Sequence, residues 1–281
     1  MIDTTTAPRV GWVGLGDQGA PIARAIAEAG YPLLVWARRP ASLQALAGVP
    51  YRAFESVTEM AAAADIVCLC LSEDTDNRQL MLDGGLLAAM RAGSILVNHG
   101  TGLPAVAVET KALAAEYGVS AIDAPVSGGH PAAVAKRLTT IVGGDSAAVE
   151  RVRPIFETFS AKVAHLGDAG AGQVGKLVNN TMLMANQQTI AELLGLAGRL
   201  GASIPQLVDV LRSGTGSSRA LEVIGSAVTP ANAAHLSRLQ LIDMELFDAA
   251  VTGLGTDGHE VSRRAVAGAE ALPHLARLLS G

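Results

Sequence analysis

The chain has 281 residues, of which 49% are hydrophobic and 17% are charged, and its formal net charge is −5. This length suffices for two domains, and the apolar content excludes a disordered chain. The aromatic share is only 3%, so the cores must consist mainly of aliphatic side chains. A negative balance gives no global basic field, and we therefore expect no nucleic-acid partner.

The opening residues, MIDTTTAPRV, lack the basic and apolar regions of a signal peptide, and no apolar run is long enough to cross a membrane. We therefore expect a cytoplasmic protein without membrane association. Cys68 and Cys70 alternate along an apolar run, which favours small buried hydrophobic residues over a disulfide or a zinc site. No cluster of histidine, cysteine and acidic residues has ligand spacing, so we expect no metal.

From residue 9, short apolar runs alternate with helix-like segments. The runs are RVGWVG (9–14), LLVWA (33–37), DIVCLCLS (65–72), SILVNH (94–99), VSAIDAP (119–125), LTTIVGG (138–144) and KVAHLG (162–167). Their nearly continuous apolar character is typical of strands that helices cover on both faces. This half of the chain therefore predicts a doubly wound parallel sheet.

After Gly172 the sequence predicts helices only. They extend to about Leu200, start again at Pro205, and then cover 218–228 and 234–252. The expected fold class is α/β, with an N-terminal Rossmann-type doubly wound parallel sheet followed by an all-α C-terminal domain. We place the boundary between the two domains after residue 167, so that they cover 1–167 and 168–281.

A glycine-rich turn directly follows the first predicted strand and opens a helix. It reads Gly14, Leu15, Gly16, Asp17, Gln18, Gly19. In such a turn the first glycine allows a tight bend, the second allows close approach of a pyrophosphate, and the third allows the helix to pack on the strand. The free N–H groups of the helix start then face the phosphates. The turn predicts a dinucleotide site.

Two arginines, Arg38 and Arg39, stand where the second strand should end, and no acidic residue adjoins them in the sequence. An acidic residue at this place would hold the ribose hydroxyls of NAD. The arginines instead favour the additional 2′-phosphate of NADP(H), with NAD(H) as the alternative cofactor. Two solvated surface arginines are the competing interpretation.

Four segments together resemble the β-hydroxyacid dehydrogenase family, which includes 3-hydroxyisobutyrate dehydrogenase, tartronate semialdehyde reductase and glyoxylate/succinic semialdehyde reductases. They are GWVGLGDQGAPIARAIAEAG (11–30), VNHGTGLP (97–104), DAPVSGGHPAAVAKRLTTIVGG (123–144) and GAGQVGKLVNN (170–180). The resemblance implies an NAD(P)-dependent dehydrogenase or reductase that acts on CH–OH groups of a small carboxylated alcohol or semialdehyde. It also implies an NADP-binding Rossmann domain at 1–167 and a helical domain for substrate binding and oligomerisation at 168–281. A homodimer or homotetramer would form through the helical domain.

The resemblance also implies individual roles. Lys176 matches the family's catalytic lysine, and Asn180 matches its substrate-binding asparagine. The substrate carboxylate would bind at Ser127, Gly128 and Gly129, and Thr101 matches a threonine at the place where substrate and nicotinamide meet. The remaining implied cofactor contacts are Leu71, Ser72 and Asp243.

The residue types agree with these roles on physical grounds. Lys176 and Asn180 are four residues apart and share one face of the predicted helix, and Gln187 falls on the same stripe. The SGG stretch (127–129) carries a single hydroxyl, so an anion can approach its N–H groups. Position alone would fit a surface lysine equally well.

Several positions depart from the family pattern. Gln18 replaces a methionine, Gly100 a serine and Lys136 a glycine, and Ile242 replaces the lysine of a Lys-Asp pair that Asp243 completes. His235 or Arg238 would be the nearest substitutes for that lysine. The loss keeps two alternatives open: an imine-reductase-like NADPH enzyme, and a catalytically silent dinucleotide-binding sensor.

Two of the six histidines, His99 and His130, lie inside the motifs. For both, a pocket-lining role and a loop or surface role are equally compatible with the sequence.

Overall fold

The structure is a computed structural model that describes residues 7–71, 73–224 and 226–279. Within these residues one sheet contains the strands β1 (Val10–Val13), β2 (Leu33–Trp36), β3 (Arg52–Ala53), β4 (Ile66–Leu69), β5 (Ile95–Asn98), β6 (Ser120–Asp123), β7 (Val126–Ser127), β8 (Leu138–Gly143) and β9 (Ser160–Gly167). Each predicted apolar run coincides with one of these strands, although β9 begins two residues before its run. The sequence missed β3 and β7, because two residues are too short to show a pattern.

The helices of the first part are α1 (Gly19–Glu28), α2 (Val57–Ala63), α3 (Asp74–Met81), α4 (Leu86–Ala89), α5 (Pro104–Glu116), α6 (Gly129–Val134) and α7 (Ser146–Phe156), with a 3₁₀ helix at Pro40–Leu46. Those of the second part are α8 (Ala171–Arg199), α9 (Ile204–Ser213), α10 (Arg219–Val223), α11 (Ala233–Val251) and α12 (Thr256–Leu278). The predicted fold class is confirmed.

The sheet has the order β3-β2-β1-β4-β5-β6-β8-β7, with β9 on β8. Strands β1 to β6 are all parallel to one another, in the order of a dinucleotide-binding sheet. Strand β8 departs from this parallel arrangement, since it is antiparallel to β6 and β7. The connection into β8 contains only the six-residue α6, too little for the long crossover that a parallel return requires.

Apolar clusters cover both faces of the sheet. Trp12 packs with Ile22 and Phe156 on one face, whereas the next residue, Val13, packs with Met60 on the other. This alternation follows from the two-residue period of a strand, and both faces are dry because helices lie on each side. The carboxyl ends of the central strands therefore form a rigid edge from which the loops start.

The chain divides into two compact units, which meet in the sequence between Lys176 and Leu177. The boundary that we expected after residue 167 stays a prediction. Helix α12 was not predicted, because Gly258, Gly268 and Pro273 interrupt its pattern. Gly268 serves close packing, since a Cβ there would collide with the carbonyl of Met184 on α8. Helix α10 is shorter than expected and ends at Val223.

None of the described helices is both long enough and apolar enough to cross a membrane. The same residues contain no group of three or more histidine, cysteine or acidic side chains that could hold a metal ion. Cys68 is buried and Cys70 is half-buried. Burial raises the pKa of Cys70 to about 12, which leaves its thiol protonated and unreactive at neutral pH.

Candidate functional site

The glycine-rich turn connects β1 to α1 at the carboxyl edge of the sheet. Gly14 has a φ of 100°, and a Cβ there would collide with the carbonyl of Cys70. A Cβ at Gly19 would collide with the carbonyl of Gly14, so helix and strand touch at this point. Apart from its two chain neighbours, no heavy atom of the described residues lies within 4 Å of the Cβ position of Gly16. The turn is thus tight at both ends and open in the middle, as the approach of a phosphate requires.

The start of α1 lacks a side-chain cap. Gln18 stands at the N-cap, but its side chain makes no capping hydrogen bond, and the first turn contains no acidic residue. The N–H of Ala20 donates to the carbonyl of Gly16 over 3.0 Å, and Pro21 has no N–H. The helix dipole therefore favours an anion here.

A cleft of about 590 Å³ opens in front of this turn. The predicted cofactor residues Gly14, Leu15, Gly16, Arg38, Arg39 and Leu71 line it together. Ser72 lies outside the described residues. Thr101, Ser127 and Lys176 are not among the described residues that line this cleft.

The arginine segment forms one wall of the cleft. Arg38 is an exposed residue, and its Nη1 lies 3.6 Å from Oδ1 of Asp76 on α3. Ser42 also lines the cleft, and its hydroxyl donates to the carbonyl of Arg39 over 2.6 Å. The structure thus places a carboxylate beside Arg38 that the local sequence did not indicate, because Asp76 comes from a distant element.

The Thr101 segment follows β5 at the same edge. A Cβ at Gly100 would lie 2.5 Å from the carbonyl oxygen of Leu71, so the serine expected from the family pattern does not fit this backbone. A Cβ at Gly102 would collide with the carboxylate of Asp74. Asp74 accepts from the N–H of Leu103 over 2.9 Å, and its burial raises its pKa. Glycines at 100 and 102 therefore let the chain pass between the carbonyl of Leu71 and the carboxylate of Asp74.

Helix α8 starts beside this segment. The carboxylate of Asp123, at the end of β6, accepts from the N–H groups of Gly170 and Gln173 over 2.8 and 2.9 Å. Burial raises the pKa of Asp123, and these N–H groups oppose the rise. Lys176 follows Gln173 by three residues and is only 9% exposed. Lys176 thus lies buried, one turn inside a helix start that hydrogen bonds hold in place.

The SGG stretch connects β7 to α6. Gly128 has a φ of 128° and Gly129 a φ of 65°, values that only glycine adopts readily. Behind it, Nδ1 of His130 lies 2.6 Å from the carbonyl oxygen of Asp17 in the glycine-rich turn. Since that carbonyl only accepts, Nδ1 carries the proton. His130 therefore joins the SGG stretch to the glycine-rich turn.

His99 is a core residue, and both interpretations offered for it from the sequence were wrong. It is buried, it stacks on Trp12 with ring centroids 5.5 Å apart, and its edge meets Phe156 and Phe159. Its Nδ1 lies 2.9 Å from the carbonyl oxygen of Ala124. Burial lowers its pKa to about 4, so the ring is neutral at physiological pH.

In the second unit, Asn180 is held by two neighbours. Its Nδ2 donates to Oδ2 of Asp243 on α11 over 2.7 Å, and its Oδ1 accepts from Nδ2 of Asn179 over 2.9 Å. A carboxylate can only accept, so the amide orientation of Asn180 is fixed. Asp243, predicted from the family pattern to contact the cofactor, here contacts the predicted substrate residue.

Ile242, which replaces a lysine of the family pattern, is 45% exposed on α11. His235 and Arg238 are also exposed, and their spacing places them on the same helix face as Ile242. They are thus the basic residues of α11 nearest in spacing to the lost lysine.

Four residues that make contacts in this region were not predicted from the sequence to do so: Asp76, Asp123, His130 and Gln173. Asp123 had a usable signal, since an acidic residue at the carboxyl end of a parallel strand faces the functional edge. The other three residues had no such signal in the sequence, because the residues that they contact are far away along the chain.

Two family profiles match the chain. The NAD binding domain of 6-phosphogluconate dehydrogenase matches residues 9–167. The NAD-binding domain of NADP-dependent 3-hydroxyisobutyrate dehydrogenase matches residues 170–267.

Among individual relatives, the NAD-dependent L-serine dehydrogenase of Pseudomonas aeruginosa is 36% identical over 216 residues, which are 76% of this chain and 72% of the relative. The structure is similar to that of Mycobacterium tuberculosis 3-hydroxyisobutyrate dehydrogenase with L-serine, with a TM-score of 0.84, 30% identity, and coverage of 98% of this chain and 100% of the other. It is also similar to Psf3 in complex with NADP+ and 2-OPP, with a TM-score of 0.79, 25% identity and coverage of 96% and 99%.

Proposed function

Since the chain belongs to the β-hydroxyacid dehydrogenase family, we propose that it transfers hydride between NADP(H) and the carbinol carbon of a small carboxylated alcohol. Membership itself makes the protein an NAD(P)-dependent oxidoreductase that acts on hydroxyl groups, as the resemblance of the four motifs predicted. The preferred cofactor form, the substrate and the role of each residue belong to the proposal.

The first unit fits a dinucleotide. The open space at Gly16, the uncapped start of α1 and the adjoining cleft support pyrophosphate binding at the glycine-rich turn. Arg38 and Arg39 favour NADP(H), since a 2′-phosphate accepts charge-assisted hydrogen bonds from guanidinium groups. The carboxylate of Asp76 weakens this preference because it neutralises part of the charge of Arg38. NADP(H) is therefore the preferred cofactor and NAD(H) the alternative.

The proposed substrate is a small 3-hydroxycarboxylate. The left-handed backbone at Gly128 and Gly129 supports a carboxylate site, because a glycine backbone in this conformation can turn its N–H groups towards one anion. L-serine and 3-hydroxyisobutyrate are the first candidates. Both have a hydroxyl on the carbon next to the one that bears the carboxylate, and each appears in the name of a relative.

The bound nicotinamide would accept or supply the hydride. Lys176 takes the proton from the substrate hydroxyl during oxidation and returns it during reduction. Thr101 orients the reacting group in the first unit. Asn180, four residues after Lys176 on α8, donates to the substrate oxygen, while Asp243 keeps its amide in place.

One observation carries this proposal: Lys176 is buried on a helix whose first turn is hydrogen-bonded to both sides of Thr101. A surface lysine, which the spacing alone would also have allowed, would not be buried in this way.

The test is a substrate panel with the purified protein. L-serine and 3-hydroxyisobutyrate are supplied with NADP+ or NAD+, and succinic semialdehyde, glyoxylate and a cyclic imine are supplied with NADPH. We expect turnover of the hydroxyacids or semialdehydes and none of the imine. Turnover of the imine alone would establish the imine-reductase alternative. NADPH binding without turnover of any compound would establish the sensor alternative.

For the assembly we propose a homodimer or homotetramer formed through the helices of the second unit. Leu193, Leu196 and Leu200 are exposed and fall on one face at helical spacing, and Val210 is exposed on α9. Light scattering after size-exclusion chromatography tests this assembly, which a monomeric mass would contradict.

A further inference from the structure

The side chain of Gln173 forms hydrogen bonds on both sides of Thr101. Its Nε2 donates to the carbonyl of Gly100, and its Oε1 accepts from the N–H of Gly102, each over 2.9 Å. Gln173 is buried, so neither bond competes with solvent. A primary amide can satisfy a carbonyl and an N–H in this way, because it has a donor and an acceptor at one end.

The backbone of Gln173 is held as well. Its N–H donates to the carboxylate of Asp123, which also accepts from Gly170. On the opposite side, Asp74 accepts from the N–H of Leu103. The peptide groups around Thr101 therefore cannot shift relative to the start of α8 without breaking buried hydrogen bonds, each costly to leave unmade.

We propose that Gln173 is a positioning residue, which keeps Thr101 in register with Lys176. Gln173 and Lys176 are three residues apart on α8, so the same helical turn carries the proton donor and the amide that holds the Thr101 segment. This role rests on the proposed function of Lys176 and Thr101. A displacement of about 1 Å between reacting groups can cost ~100-fold in rate. The hydrogen bonds of Gln173 therefore affect the rate of the chemical step.

Two variants separate positioning from simple folding support. Gln173→Leu has a similar size and no hydrogen-bonding group. Gln173→Glu accepts from Gly102 when ionised, and it can also donate to Gly100 when protonated. Gln206→Glu, at an exposed position on α9, introduces the same charge elsewhere and is the control.

Two measurements are made on each full-length protein. The first is hydrogen–deuterium exchange of a peptide that covers 98–104, without cofactor. The second is kcat with L-serine and 3-hydroxyisobutyrate, together with the KM for each substrate and for NADP+, as a function of pH.

For Gln173→Leu we expect exchange at Gly102 to become ~3- to 10-fold faster. We expect kcat to fall ~10- to 100-fold, with the KM for NADP+ within about twofold of the parent. For Gln173→Glu, kcat relative to the parent should rise as the pH falls, because the protonated carboxyl restores the missing donor. The Gln206→Glu control should match the parent throughout.

Unchanged exchange in Gln173→Leu would overturn the proposal. So would a loss of kcat that is the same at every pH in Gln173→Glu, because that would indicate general destabilisation. If Gln173→Leu does not fold, Gln173→Glu replaces it, and both exchange and kcat are compared with the parent across the pH series. If the parent turns over neither compound, the proposed function fails, and the exchange data alone decide whether Gln173 holds the segment.

Discussion

Cofactor preference depends on the pair formed by Arg38 and Asp76, and the two residues should act in opposite directions. Arg38→Ala removes a guanidinium that faces the cleft, so affinity for NADPH should fall while affinity for NADH stays nearly unchanged. Asp76→Asn removes the opposing carboxylate, so affinity for NADPH should rise. The sequence alone indicated only the first of these effects.

The geometry sets the magnitudes. A charge-assisted hydrogen bond contributes about 1.5 to 3 kcal/mol, and the side chain of Arg38 is 76% exposed, so the lower end applies and Arg38→Ala should cost ~10-fold. The Coulomb energy of the pair at 3.6 Å in a solvent-like dielectric is about 1 kcal/mol. Asp76→Asn should therefore strengthen NADPH binding by at most ~5-fold.

Fluorescence titration of NADPH and NADH against each variant measures both constants. Arg137→Ala, which removes an exposed arginine outside the residues that line the cleft, is the control. Equal losses for the two cofactors in Arg38→Ala would refute the assignment of the 2′-phosphate to this arginine. Weaker NADPH binding in Asp76→Asn would refute the opposing role of the carboxylate.

Two further predictions concern stability. Hydrogen bonds from Arg9, together with one from Arg91, hold the pKa of Asp65 at about 2, so its stabilisation is present above pH ~4 and is lost as the pH falls towards 2. Asp65→Asn should cost about 1 kcal/mol at pH 7, after a discount for partial exposure, and should flatten the acid limb of urea unfolding; an unchanged acid limb would contradict this. Lys136 has a φ of 55° and pairs with Glu28 over 2.9 Å. Lys136→Gly should therefore be more stable than Lys136→Ala by about 1 kcal/mol in the same assay, and the reverse order would show that the backbone there is not strained.

The sequence predicted the strands and the glycine-rich turn because these features are local. Gly14, Gly16 and Gly19 each have the steric surroundings that the motif implies, and the seven apolar runs all coincide with strands. The predicted family is confirmed, since four motifs in order are specific enough to identify it. Local patterns thus gave the fold class and the enzyme class.

The errors and omissions have a common physical origin in long-range contacts. His99 stands inside a functional motif, yet its ring is needed to fill the aromatic core beside Trp12. Asp76 lies beside Arg38, and Gln173 bonds to the Thr101 segment, although the partners are far apart in the chain. No periodicity or motif encodes such pairs, because three-dimensional packing alone brings them together.

The central claim, proton transfer by Lys176, is tested most directly by the kcat of Lys176→Ala with 3-hydroxyisobutyrate or L-serine. NADPH affinity is measured in parallel, and Lys162→Ala, an exposed lysine on β9, serves as the control. Removal of a positioned general acid–base costs ~100-fold or more. We predict a loss of that size in kcat for Lys176→Ala, with NADPH affinity within about twofold of the parent and a fully active control. A Lys176→Ala protein with undiminished kcat would contradict the account.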